Sequence, residues 1–139
     1  MSNKILLFPL VIITLLLSYY FFKQTPCVAF CPTSIITINA SEFKKKVSEQ
    51  DTIILDVRTP DEYKTGHLSG SINLDFNNRT SFTNSLKSLD KNKTYLVYCR
   101  SGNRSSQAVD LMAEQGFTDL VNLEGGIISW QAANLPTIK

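Results

Sequence analysis

The chain has 139 residues, enough for one ordinary domain and too few for two. Its formal net charge of +2 is too small to argue for nucleic acid, and Lys44, Lys45 and Lys46 read as a short solvated run. Three cysteines with no zinc-type CxxC pair, and His67 as the one histidine, argue against a disulfide framework, a metal site and a Ser-His or Cys-His mechanism.

Ile5 to Phe22, ILLFPLVIITLLLSYYFF, carries no charge and lies between Lys4 and Lys23. Its length approaches the ~20 residues of a bilayer-spanning helix and exceeds the roughly 7–15 of a signal peptide's apolar core. Tyr19, Tyr20, Phe21 and Phe22 suit an aromatic belt at the membrane interface, and Pro9 sits where such a helix tolerates it. Residues 1–23 are therefore expected to form a hydrophobic helix, an uncleaved anchor in preference to a cleaved signal segment. Lys4 with the α-amine, set against Lys23, tips the N-terminus inward, which puts the rest of the chain outside the cytoplasm, in the periplasm of a bacterium. Residues 24–34 read as a linker. In it Cys27 and Cys31, four residues apart, are either a disulfide of an oxidising compartment or inert linker cysteines.

From residue 35 to 139 strand and helix patterns alternate. Ile35 to Ile38 is a short strand, and Ser41 is expected to cap a helix in which Phe43 and Val47 share a face. Thr52 to Val57 is a near-continuous apolar strand, as expected when helices cover both faces of a sheet. Thr59, Pro60 and Glu62 spell a capping box with proline at the first helical position. Ser71 to Leu74 is a third strand, Ser81 to Leu89 a helix, and Thr94 to Tyr98 the strongest central-strand signal. Ala108, Leu111 and Met112 share the face of a helix opening at Asn103 and closing at Gly116. Leu120 to Leu123 is the last strand, and Gly125-Gly126 leads into a final helix that stops before Pro136. This order predicts an α/β domain with a mostly parallel five-stranded sheet flanked by helices on both faces. Asn39, Asn78, Asn92 and Asn103 each open an Asn-x-Ser/Thr triplet; with one of them inside a candidate active loop, these are read as composition and not glycosylation.

The chemistry gathers at VYCRSGNRSS, Val97 to Ser106. Cys99 stands at the carboxyl end of the central strand, where ligand crevices of open α/β sheets lie. The turn into the next helix leaves backbone N–H groups free, and Gly102 lets them curl into an anion nest. Such donors, with Arg100 and Arg104, favour a thiolate and can hold an anionic substrate, with Ser101 and Ser105 adding hydroxyls. No histidine is required.

Cys99-Arg100-Ser101-Gly102-Asn103-Arg104-Ser105 resembles the active-site loop of the rhodanese family of sulfurtransferases. LDVRTPDEYKTGHLSGSINL, Leu55 to Leu74, and GFTDLVNLEGGIISWQAANLP, Gly116 to Pro136, are similar to that family's flanking segments. The resemblance implies a single rhodanese-like domain without metal or cofactor. Cys99 would take sulfur from a small anionic donor such as thiosulfate, hold it as a persulfide, and pass it to cyanide, a thiol or a thioredoxin-like protein. Arg100, Ser101, Gly102, Asn103, Arg104 and Ser105 would bind the donor. Asp56, Arg58, Glu62 and His67 match family positions read as structural, with Arg58 and Glu62 as a local ion pair and His67 in a turn with Gly66. Leu74-Asp75 departs from the family's aliphatic-proline pair and touches only a local turn. Two rival readings are a binding module without chemistry and a cysteine phosphatase or arsenate reductase, for which no aspartate sits in a clear general-acid position and Asp75 is the one left open. Arg104 lies five residues after Cys99, where cysteine phosphatases place arginine six residues on. The shorter loop suits a terminal sulfur better than a phosphoryl group.

Overall fold

The computed structural model describes residues 32–139; the expected anchor, Cys27 and Cys31 lie outside the described residues. Within them run β1 (Ser34–Ile38), α1 (Ala40–Val47), β2 (Thr52–Asp56), α2 (Pro60–Thr65), β3 (Ile72–Asn73), α3 (Arg79–Leu86), β4 (Thr94–Tyr98), α4 (Asn103–Glu114), β5 (Asp119–Leu123) and α5 (Gly126–Ala132). The strands form one sheet in the order β1-β5-β4-β2-β3, every pair parallel. Among the described residues no helix is long and apolar enough to cross a membrane.

β4 lies at the middle of the sheet and is buried on both sides, which is why its sequence is an unbroken apolar run. Side chains alternate across a strand. Tyr95, Val97 and then Cys99 join one core with Phe82 and Leu86 of α3 and Ala108, Val109 and Met112 of α4. Leu96 and Tyr98 join the other, with Ala40 and Phe43 of α1 and Ile127 and Trp130 of α5. Each large apolar side chain buried in this way contributes about 1.5–3 kcal/mol. Phe43 meets Trp130 edge to face at 6.2 Å, and Trp130 is core, its indole N–H donating to the Pro136 carbonyl at 2.9 Å.

Two helix starts differ from expectation. The cap of α1 is Asn39, whose Oδ1 accepts from Glu42 N–H at 3.0 Å, so Ser41 falls inside the helix. α3 begins two residues before Ser81 because Asn78 accepts the Ser81 N–H at 3.1 Å. Asn39 and Asn78 thus serve as N-caps. The capping box of α2 forms as its sequence predicts, with Thr59 and Glu62 bonded reciprocally and Pro60 in the first turn.

Candidate active site

Four residues, Cys99 to Gly102, turn the chain from β4 into α4. Gly102 holds a left-handed φ of +95°, and a Cβ there would stand 3.3 Å from Gly125 N. The turn closes around sulfur. Cys99 is 1% exposed, and its Sγ accepts the Gly102 N–H at 3.1 Å and faces the Ser105 hydroxyl at 3.5 Å. That hydroxyl has one proton, for which the Gly102 carbonyl at 3.1 Å competes. Burial alone would raise the thiol; the Ser105 hydroxyl and the N–H groups of Ser105, Ser101 and Gly102 outweigh it and bring the pKa below its ordinary value. Hydrogen bonds carry most of this lowering, and the charge of the Cys99 thiolate in turn helps to raise the Arg104 pKa. Ser105→Ala should raise the Cys99 pKa, read from ultraviolet thiolate absorbance against pH with Cys99→Ser as the blank.

Arg104 does not face a substrate alone. Its guanidinium forks onto the Glu62 carboxylate, Nη1 to Oε2 and Nη2 to Oε1, both at 2.7 Å. Glu62 also accepts from the Thr59 N–H at 3.1 Å, so one carboxylate caps α2 and ties it to the start of α4. The expected Arg58–Glu62 pair is thereby corrected. Arg58 turns inward to Asp56, with Nη2 to Oδ2 at 2.6 Å and Nε to Oδ1 at 2.9 Å. It also donates to the Gly66 carbonyl at 2.8 Å. Asp56 is fully buried, and a buried carboxylate needs a cation and several donors. Beneath this pair, the Tyr98 hydroxyl accepts the Leu68 N–H at 3.1 Å; burial and the Asp56 charge hold it protonated far above the usual range.

Arg100 is exposed and has no carboxylate partner among the described residues, which leaves it as the loop's open cation. Ser101 is exposed at the tip, and Asn103 faces along α4, its Oδ1 accepting from Gln107 at 2.9 Å. His67 is not brought to the loop. Its ring stacks on Tyr63 at 3.7 Å, and instead of a simple turn with Gly66 its backbone bridges to Ile138. Asp75 lines a separate cleft with Asn78 and Ser81. Among the described residues no group of His, Cys, Asp and Glu could hold a metal ion.

The sequence reading missed the far wall of the site. The amino end of α5 lies on the turn, with Ile127 N–H donating to the Cys99 carbonyl at 2.8 Å and Ile128 N–H to the Arg100 carbonyl at 3.2 Å. Gly126 makes that approach possible, since a Cβ there would stand 2.4 Å from the Cys99 oxygen. The available signal was Gly125-Gly126 one residue after a strand. Between α2 and α5 a cleft of about 360 Å³ opens beside the loop, lined by Arg58, Glu62, Thr65, Arg100, Ile128 and Gln131 among others. A cysteine turn lined by N–H and O–H donors at the carboxyl end of a parallel sheet, beside a cleft with an open arginine, has the groups that nucleophilic chemistry on a small anion requires.

This fold and turn define a rhodanese-like domain, and the chain belongs to that family: the model of the Rhodanese-like domain matches residues 39–133. Among its relatives, a thiosulfate sulfurtransferase GlpE of Pseudomonas fluorescens is 32% identical over 99 residues, covering 66% of this chain and 88% of the relative. A tRNA uridine(34) hydroxylase of Cytophaga hutchinsonii is 35% identical over 95 residues, but this chain spans only 30% of its length and 67% of its own. The crystal structure of a rhodanese-related protein from Thermoplasma volcanium superposes with a TM-score of 0.65 at 33% identity, covering 73% of this chain and 96% of that one.

Proposed function

We propose that the chain is a sulfurtransferase working through a persulfide on Cys99. The observation that carries this reading is the sulfur's setting: a buried thiol ringed by N–H and O–H donors that hold it toward thiolate with no histidine beside it. The Cys99 thiolate attacks the outer sulfur of thiosulfate; that sulfur's bond to the sulfonate breaks, sulfite leaves with the electron pair, and Cys99 carries S–S⁻. Cyanide, a small thiol or a thioredoxin-like thiol then attacks the outer sulfur, and the S–S electrons return to Cys99. Arg100 holds the donor's oxyanion at the mouth of the cleft, and the loop amides stabilise the persulfide. A cysteine at 1% exposure is reached by a slim terminal sulfur more readily than by a tetrahedral phosphoryl group. The coverage of the sulfurtransferase relative, 88% against 30% for the hydroxylase, supports the same choice.

The intact full chain, incubated with thiosulfate, should gain the mass of one sulfur atom, lost again on adding a thiol reductant. Cys99→Ser should gain none and should form no thiocyanate. A variant that still turned over thiosulfate would sink the mechanism; a wild-type chain that takes up no sulfur would favour a binding module, and faster cleavage of an aryl phosphate a phosphatase. We further propose that residues 5–22 anchor the domain on the outer side of a membrane, supported by the uncharged length of that run. A reporter fused after Lys139 that works only in the cytoplasm would overturn that orientation.

A further inference from the structure

We propose that the chain pairs with a second copy of itself, edge to edge through β1, into one continuous sheet; the geometry is independent of the catalytic reading. The sheet ends in two different ways. At one end β3 has two residues, and Asn73 turns its side-chain amide onto the Asp56 and Arg58 carbonyls at 3.0 and 2.8 Å. At the other, β1 offers five residues, Ser34 to Ile38, with no charge, proline, glycine or bulge, the devices by which proteins guard an open edge. Ile35 is 42% and Ile36 39% exposed. Because neighbouring side chains alternate, they lie on opposite faces of the sheet.

The free hydrogen-bonding groups of this edge complement themselves. Ser34 N–H donates to the Thr118 carbonyl at 2.7 Å, and the Ile38 carbonyl accepts the Glu124 N–H at 2.9 Å. Backbone groups of alternate residues point the same way, so Ser34, Ile36 and Ile38 turn toward β5 while Ile35 and Thr37 turn outward. An antiparallel pair about a two-fold axis at Ile36 sets Ile35 of each copy opposite Thr37 of the other. Both are then hydrogen-bonded pairs, and the outward groups of both residues are used. Ile36 meets its own counterpart in the closer, non-hydrogen-bonded position, with Cα atoms about 4.5 Å apart. Ile35 packs against the other copy's Thr37 on the opposite face.

The chain before β1 cannot pair with it through a two-residue hairpin. A two-residue hairpin there would need Pro32 at positive φ and Ser34 bonded outward. Proline cannot take that φ, and Ser34 already bonds Thr118. In the paired sheet the two copies of Ser34 lie at opposite ends of the seam, roughly 14 Å apart. One strand pair is a small contact, and confining both copies to one membrane would raise their effective concentration to the millimolar range.

The test uses the full chain in detergent micelles, with Cys27→Ser and Cys31→Ser to remove those two thiols. Ile36→Cys in this background should cross-link to a covalent dimer on mild oxidation, since its Cα separation falls within disulfide reach. Ser34→Cys and Ile38→Cys should not, because each lies roughly 14 Å from its own counterpart. Sedimentation of the parent should show two chains per particle. Ile35→Pro, which removes one outward N–H, or Ile36→Lys, which sets two charges against each other on the axis, should show one chain with thiosulfate turnover retained. Equal cross-linking at positions 34, 36 and 38, or a parent of one chain per particle, overturns the proposal.

Discussion

Gly126→Ala is expected to remove about 99% of the sulfurtransferase activity while leaving a folded protein. The added Cβ would stand 2.4 Å from the Cys99 oxygen and 2.6 Å from both the carbon and the oxygen of the Arg100 carbonyl. These are backbone atoms, which no rotamer change can move aside. The residue's φ of +60° adds the cost of a left-handed alanine, about 1–2 kcal/mol, to an overpacking cost of about 1–3 kcal/mol. To relieve the contact, α5 and the cysteine turn must separate by close to 1 Å, and a displacement of that size at a reacting centre costs about 100-fold in rate. The same shift breaks the bonds from Ile127 and Ile128 that hold the turn's carbonyls. Gly125→Ala is the control: its Cβ would meet the Ser129 Cβ at 2.9 Å, a contact within the α5 segment and not with the cysteine turn, so it should lose stability but far less activity. kcat/KM for thiosulfate read beside thermal melts separates the two. Equal losses for both variants would show that the α5 contact does not set the turn.

Where the sequence and the structure agree, the reason is local. β2 and β4 are continuous apolar runs, and α2 carries its capping box in four consecutive residues, Thr59 to Glu62. The cysteine turn announces itself because a strand, a thiol and a glycine follow one another within Thr94 to Gly102. Tertiary competition decides the rest. Asn39 and Ser41 are both good cap residues; the chain turns at Asn39 because Ile38 is still bonded to Glu124 of the neighbouring strand's end. Arg58 precedes Glu62 by four residues, the spacing of a helical ion pair. It stands outside α2, however, and the buried Asp56 claims it. Glu62 is thereby free for Arg104, 42 residues away, a pairing no local pattern encodes. The same holds for Gly126, whose need for glycine lies in a carbonyl 27 positions earlier in the chain.

Glu62→Gln should destabilise the domain by about 1–3 kcal/mol at neutral pH, between the worth of an exposed and a buried ion pair, and should slow sulfur transfer by roughly 10-fold through a looser turn. The side chains of Arg104 and Glu62 are 23% and 29% exposed, so the pair is largely sheltered from solvent. Arg104 donation, countered by burial and aided by the Thr59 N–H, brings the Glu62 pKa from 4.5 to about 2. A carboxyl depressed on folding contributes stability that is fully present above its unfolded value and is lost as pH falls through the folded one. The parent should therefore shed this contribution between pH 4.5 and about 2, while Glu62→Gln, with nothing to protonate there, should not. The stability gap between the two proteins should narrow across that window. Arg104→Gln and the double variant complete the cycle: if the fork is the coupling, the two losses are not additive and the double variant is little worse than either single. A gap unchanged by acid, together with additive losses, would mean that Glu62 acts only as the cap of α2. Rate should follow the same pattern, because the fork fixes the first turn of α4, which carries the Ser105 hydroxyl and N–H to the Cys99 sulfur.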